Sequence, residues 1–134
     1  MDAPQFVSGS SKLTGAMGYW PSFHDANVVN VSRASDSITA AVHVFAMTDQ
    51  VDAAGYYVLE KHHLVTLALE GVQSSSLPPD YSSDCLSQLS FQRAGASICV
   101  EFESHMGSGG EVICNSVAVL DVVPCSPAST ELGA

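Results

Sequence analysis

The sequence predicts a mainly β domain of about six largely antiparallel strands, arranged as a sandwich or a strongly curved sheet. Three observations carry this prediction. Several runs alternate with a period of two, most cleanly in SICVEFE (97–103), where Ile98, Val100 and Phe102 fall on one face and Cys99, Glu101 and Glu103 on the other. The segments between such runs are rich in Gly, Pro, Ser and Asp, the residues that turns demand. No stretch of about ten residues or more carries the 3.6-residue apolar period of an amphipathic helix, so helix is confined to at most a short N-terminal turn.

The elements follow in order. Residues 1–12 are small and polar, with Gly9 between serines, and are expected as a flexible arm. Residues 13–20 are Gly-rich and have room for one helical turn. The β pattern starts at Ala26 with NVVNVSR (27–33), followed by the turn-like ASDS. ITAAVHVFAM (38–47) then places Ile38, Ala40, Val42, Val44 and Ala46 on one face, with His43, Phe45 and Met47 opposite. TDQVDAAG (48–55) interrupts the pattern with two acids and a Gly, and reads as a loop. A strong strand over 62–72 sets Val65, Leu67 and Leu69 on one face. The polar connection 73–84 contains Pro78 and Pro79, which cannot lie inside a paired strand. Strands over 85–93, 96–104 and 111–123 complete the six. Residues 125–134 are small and Pro-interrupted, a flexible tail, so the folded domain spans 13–124.

Composition limits the function. A chain of 134 residues, 46% of them hydrophobic, is one domain by length and buries roughly two thirds of its unfolded surface without help from a metal or disulfides. Fourteen acids against four Lys and Arg give a net charge of −10. The basic residues Lys12, Arg33, Lys61 and Arg93 are scattered, whereas phosphate recognition needs them clustered, so nucleic acid and anionic membranes are excluded as partners. A basic protein is the natural macromolecular partner. No run approaches the ~20 apolar residues of a membrane span, and the acidic start MDAPQ has no apolar signal segment, so a cytoplasmic location is expected. Cys85, Cys99, Cys114 and Cys125 form no C-x-x-C pair, which argues against zinc and thioredoxin-type chemistry and leaves free thiols in a reducing compartment. No cofactor and no metal are expected.

Two histidine groups invite a chemical reading. His24 and Asp25 could supply a general base and its orienting carboxylate, but neighbours on a strand point to opposite faces, and Ser22 lacks the G-x-S-x-G context of a nucleophile elbow. The structural reading buries Trp20 and Phe23, lets Pro21 stiffen the segment, and spends His24 and Asp25 on local backbone groups. His43, His62 and His63, with Glu60 or Asp49, offer a two-His-one-carboxylate metal set, although only one of the adjacent His62 and His63 can share the face of His43. Cross-strand packing of these rings is the simpler expectation. Asp49 and Asp52 lack the residue order of a calcium loop and read as an exposed acidic contact surface. No catalytic residue is assigned.

The segments YWPSFHDANVV (19–29), HVFAMTDQVDAAGYYVLEKHHLVTLALEGV (43–72) and VAVLDVVP (117–124) together resemble the immunity protein fifty family, small bacterial proteins of polymorphic toxin systems. The likeness runs from about Gly18 to Pro124. It implies a cytoplasmic, non-catalytic protein that binds and neutralises a cognate toxin. The family's Trp-Pro-Ser-Phe-His-Asp motif maps onto Trp20, Pro21, Ser22, Phe23, His24 and Asp25. Asn27 stands where the family commonly has an acid, and 73–84 departs from the family's aromatic and amide-rich segment. With a basic toxin domain as partner, Asp49, Asp52 and Glu60 are the expected rim charges, and an edge strand offers a route to a homodimer. The competing expectation is a small-ligand or metal-binding β domain built on His24, Asp25 and neighbouring histidines. That reading requires His24 to line a concave pocket, with Asp25, Ser22 or another His in hydrogen-bond reach.

Overall fold

A computed structural model of the chain describes residues 3–125. In chain order its elements are β1 (Val7–Ser8), α1 (Ser10–Met17), β2 (Asn27–Arg33), β3 (Ser37–Val51), β4 (Tyr57–Glu70), β5 (Ser74–Ser75), β6 (Asp84–Ala94), β7 (Ser97–Ser104), β8 (Gly110–Cys114) and β9 (Ser116–Pro124). They form one mixed, open sheet of order β1-β9-β4-β3-β2-β6-β7-β8-β5. Only the β1–β9 contact is parallel; every other neighbouring pair is antiparallel.

The curvature has an identifiable corner. β2 and β6 share only the pairs Asn27–Cys85 and Val28–Asp84 before β6 continues with β7. Beyond this narrow seam the two halves of the sheet fold over one another, and β7 meets β9 across the interior. The alternation that sets strand faces then fills a single core. Ile38, Ala40, Val42 and Val44 from β3, with Val65, Leu67 and Leu69 from β4, meet Leu86, Ile98, Val100, Phe102 and Val112 from the other half.

Three expectations are corrected. Strands number nine among the described residues, not about six, because two short edge pieces form and because the apolar run 111–123 breaks at Asn115. There the backbone N–H bonds to the carbonyls of Glu70 and Gly71, and the chain crosses from β7's neighbour to β4's. Residues 3–12, expected as a flexible arm, carry β1 and the start of α1, with Val7 buried against β9. The helix has eight residues rather than one turn. Leu13 and Met17, four apart and so on one face, are both fully buried as α1 packs on β9 and β4. Gly18 ends it at φ 86°, in the left-handed region, its N–H bonding to the Thr14 carbonyl at 2.8 Å.

The β3–β4 hairpin is also longer than the strands expected at 38–47 and 62–72. Residues 48–51, read as loop, belong to β3, so Asp49 lies on a strand and the turn is confined to 52–56. The polar connection 73–84 holds β5 and buries Leu77 and Tyr81, and Arg33 clamps it by donating to the carbonyls of Tyr81 and Pro78. Residues 126–134, most of the expected C-terminal tail, lie outside the described residues. No helix among the described residues is long and apolar enough to cross a membrane.

Candidate functional site

The motif segment ahead of β2 is anchored by aromatics. Trp20 and Phe23 are buried, and both meet Phe91 of β6 edge-on, at centroid distances of 5.8 and 6.2 Å. Phe23 and Asp25 adopt φ of 65° and 63°, a left-handed conformation that side-chain-bearing residues resist. Backbone bonds hold the loop in place: Asp25 N–H to the Leu86 carbonyl, Ala26 N–H to Phe23, and Leu86 N–H to Ala26. The result presents two polar side chains beside the β2–β6 corner.

Those side chains do not satisfy local backbone groups, as the sequence suggested for them. The His24 ring is 61% exposed. Its Nδ1 lies 3.0 Å from the Ser87 carbonyl oxygen, and since a carbonyl only accepts, Nδ1 carries the proton. Nε2 then points toward Asp25, 3.5 Å from Oδ2. The other carboxylate oxygen of Asp25 accepts from His105 Nε2 at 2.8 Å. The Cys85 thiol joins them: one donor atom each from Asp25, Cys85 and His105 lies within 4.8 Å of the others. Burial, then the nearby carboxylates of Asp25 and Asp84, push the Cys85 thiol above its ordinary pKa, which is the opposite of what a nucleophilic cysteine needs. The constellation brings Cys, His and Asp donor atoms together without an activated thiolate.

On its other side, His24 lines a pocket of about 210 Å³ with Tyr19, Phe23, Phe45 and Met47. Ser22 sits here too, its hydroxyl accepting from the His24 backbone N–H. The motif therefore touches the foot of the β3–β4 hairpin, the place expected to carry partner contacts.

His43, His62 and His63 divide as alternation requires. His62 shares the face of His43, and the rings stack with Nε2 of His43 2.9 Å from Nδ1 of His62. His63 turns away and donates from Nδ1 to the Lys61 carbonyl. Neither Glu60 nor Asp49 joins the pair in a cation-holding cluster among the described residues.

The far end of the hairpin is an arm of exposed apolar and acidic residues. Met47 and Leu59 stand directly opposite one another, both exposed, and Val51 and Tyr56 extend the apolar surface to the tip, Tyr56 at 72% exposure. Asp49, Asp52 and Glu60 lie exposed among them. Asp52 also closes the turn, with Oδ1 accepting from the N–H groups of Ala54 and Tyr56. No acid in the described residues is paired with a Lys or Arg. Lys12 donates to the Leu120 carbonyl and Lys61 to that of Met17, Arg33 holds the 73–84 segment, and Arg93 lies over the Phe6 ring.

Cys85 and His105 were not singled out by sequence reasoning. They lie 60 and 80 residues from Asp25, and no local spacing announces them; only the register of β2, β6 and β7 brings them together. No family model, curated protein or solved structure matches the chain.

Proposed function

We propose that the chain is a non-catalytic, immunity-type protein of the bacterial cytoplasm that binds and neutralises a basic toxin domain through the β3–β4 arm. The observation that carries this reading is the arm itself: Met47, Val51, Tyr56 and Leu59 exposed together, with Asp49, Asp52 and Glu60 among them and no cation neutralising those acids. An apolar centre with a charged rim is how protein interfaces are built, and exposed large apolar residues on a monomer mark contact surfaces. Unpaired acids speed the encounter with a basic partner and reject acidic ones. The resemblance of 19–29, 43–72 and 117–124 to the immunity family supplies the class of partner.

The test is capture of partners from the organism's own lysate on tagged protein, washed at low and then moderate salt and read by mass spectrometry. The reading expects one basic toxin domain, released as salt rises, whose toxic activity the purified protein suppresses. A captured partner that is acidic, or a toxin whose activity persists in the complex, would sink it.

A further inference from the structure

Beside this binding role, and independent of it, the corner between β2 and β6 carries a second feature. We propose that Asp25, His24, Cys85 and His105 form a binding site for a divalent transition-metal ion, with zinc the best match.

Geometry comes first. Tetrahedral zinc, with bonds of about 2.0–2.2 Å to N and O and about 2.3 Å to S, sets its donor atoms roughly 3.3–3.6 Å apart. The donors of Asp25, Cys85 and His105 lie within 4.8 Å of one another, with His105 Nε2 2.8 Å from Asp25 Oδ1, and His24 Nε2 stands outside that group, 3.5 Å from the other Asp25 oxygen. These limits bracket the tetrahedral spacing, and the ion displaces the proton that His105 Nε2 donates to the carboxylate. The mixed S, N and O set suits borderline zinc better than calcium or magnesium, which take oxygen.

The backbone under these donors is already tied. Asp25 N–H bonds to the Leu86 carbonyl at 2.9 Å, His105 N–H to the Cys85 carbonyl at 3.0 Å, and Leu86 N–H to the Ala26 carbonyl at 2.8 Å. The left-handed φ of Asp25 holds its side chain at the corner, strain that over-determined functional positions characteristically store.

His24 supplies the independent pointer. With Nδ1 donating to the Ser87 carbonyl, Nε2 of His24 faces the Asp25 carboxylate, 3.5 Å from Oδ2. A cation seated between them bonds to both. A metal-bound histidine characteristically gives its second ring N–H to a carbonyl in this way. The surrounding charge agrees. The neighbouring Asp84 receives only neutral donors, the hydroxyls of Tyr81 and Ser104, and no Lys or Arg is paired with either acid.

The experiment titrates cobalt(II) into tag-free, metal-stripped, reduced protein, followed by zinc. One equivalent is expected to bind with a thiolate-to-cobalt absorption band and the intense visible bands of a tetrahedral ion, and zinc should abolish both. Cys85→Ser should remove the thiolate band, while His105→Ala and His24→Ala should each weaken binding roughly tenfold or more. Retention of the thiolate band in Cys85→Ser overturns the proposal, as does affinity that ignores both histidine variants. Should Cys85→Ser lose its far-ultraviolet dichroism, the unaltered protein decides: zinc must slow alkylation of Cys85 while leaving Cys99 unchanged. Equal alkylation of Cys85 with and without zinc is the contrary result.

Discussion

His43 Nε2 and His62 Nδ1 lie 2.9 Å apart with their rings stacked, and the remaining nitrogen of His43, Nδ1, is buried with no hydrogen-bond partner. Burial, reinforced by the adjacent His62, lowers the pKa of His43 below its ordinary 6.5. The sign follows directly. Below about pH 6.5 the unfolded chain takes a proton at this position and the folded one resists it, so the unfolded state binds more protons and stability is lost as the pH is lowered. Melting temperature should therefore drop between pH ~7.5 and ~5.5, and the drop should be smaller in His43→Phe, which removes the titrating group but keeps a ring against His62. An identical slope in the two proteins would refute the assignment.

Trp20 is a second point of leverage. It is 4% exposed and packs edge-on against both Phe23 and Phe91 at 5.8 Å. Truncation to Ala leaves a cavity where the motif segment joins β6, at a cost of about 3–5 kcal/mol in denaturant unfolding. A mutant with the parent's midpoint would show that the segment closes over the gap, and that the motif is not an anchor.

Asp49 and Asp52 separate by variant design. Asp52 also caps its turn, so its reversal would loosen the tip as well as change charge; Asp52→Asn keeps the acceptor and removes only the charge. Combined with Asp49→Lys, this variant should slow association with a basic toxin domain at low salt by tenfold or so, while dissociation changes far less. Stopped-flow or surface-based kinetics read the split. A loss confined to the dissociation rate would move the charged contact elsewhere.

Glu101 and Glu111 form a directly opposed like-charge pair on β7 and β8, both exposed. Glu111→Lys should raise stability by about 0.2–1 kcal/mol, and added salt should shrink the gain. An unchanged or lowered midpoint at low salt would mean that the pair is already relieved.

The sheet was legible in the sequence where one face is buried and the other wet. β7 shows this plainly, and in β3 the inward residues are also the ones alternation selected, with His43 buried in addition on the opposite face. The full helix escaped because Gly15 inside an eight-residue element and Gly18 directly after it weaken both propensity and period, leaving only Leu13 and Met17 to mark a face. The break at Asn115 escaped because only Asn115 and Ser116 separate two apolar stretches; what stops the strand is a backbone contact to Glu70 and Gly71, from an element distant in sequence. The acidic arm was legible as residues but not as a projecting hairpin. The corner cluster was half legible. His24 and Asp25 stand out as neighbours, whereas Cys85 and His105 reach them through strand register, a long-range property that no local window contains.

The arm's ladder has a consequence of its own. β9 accompanies β4 only from His63 to Glu70, and β2 accompanies β3 only from Ile38 to His43. Further out, residues 47–51 and 57–60 pair only with each other, a two-stranded ribbon, and such ribbons are marginal by themselves. Opening the ribbon exposes little of the core, so it can fray and re-form while the body stays folded. Part of the free energy of any contact made there goes into holding the ribbon still. Changes that stiffen the ribbon from within, without touching the partner, would tighten the complex.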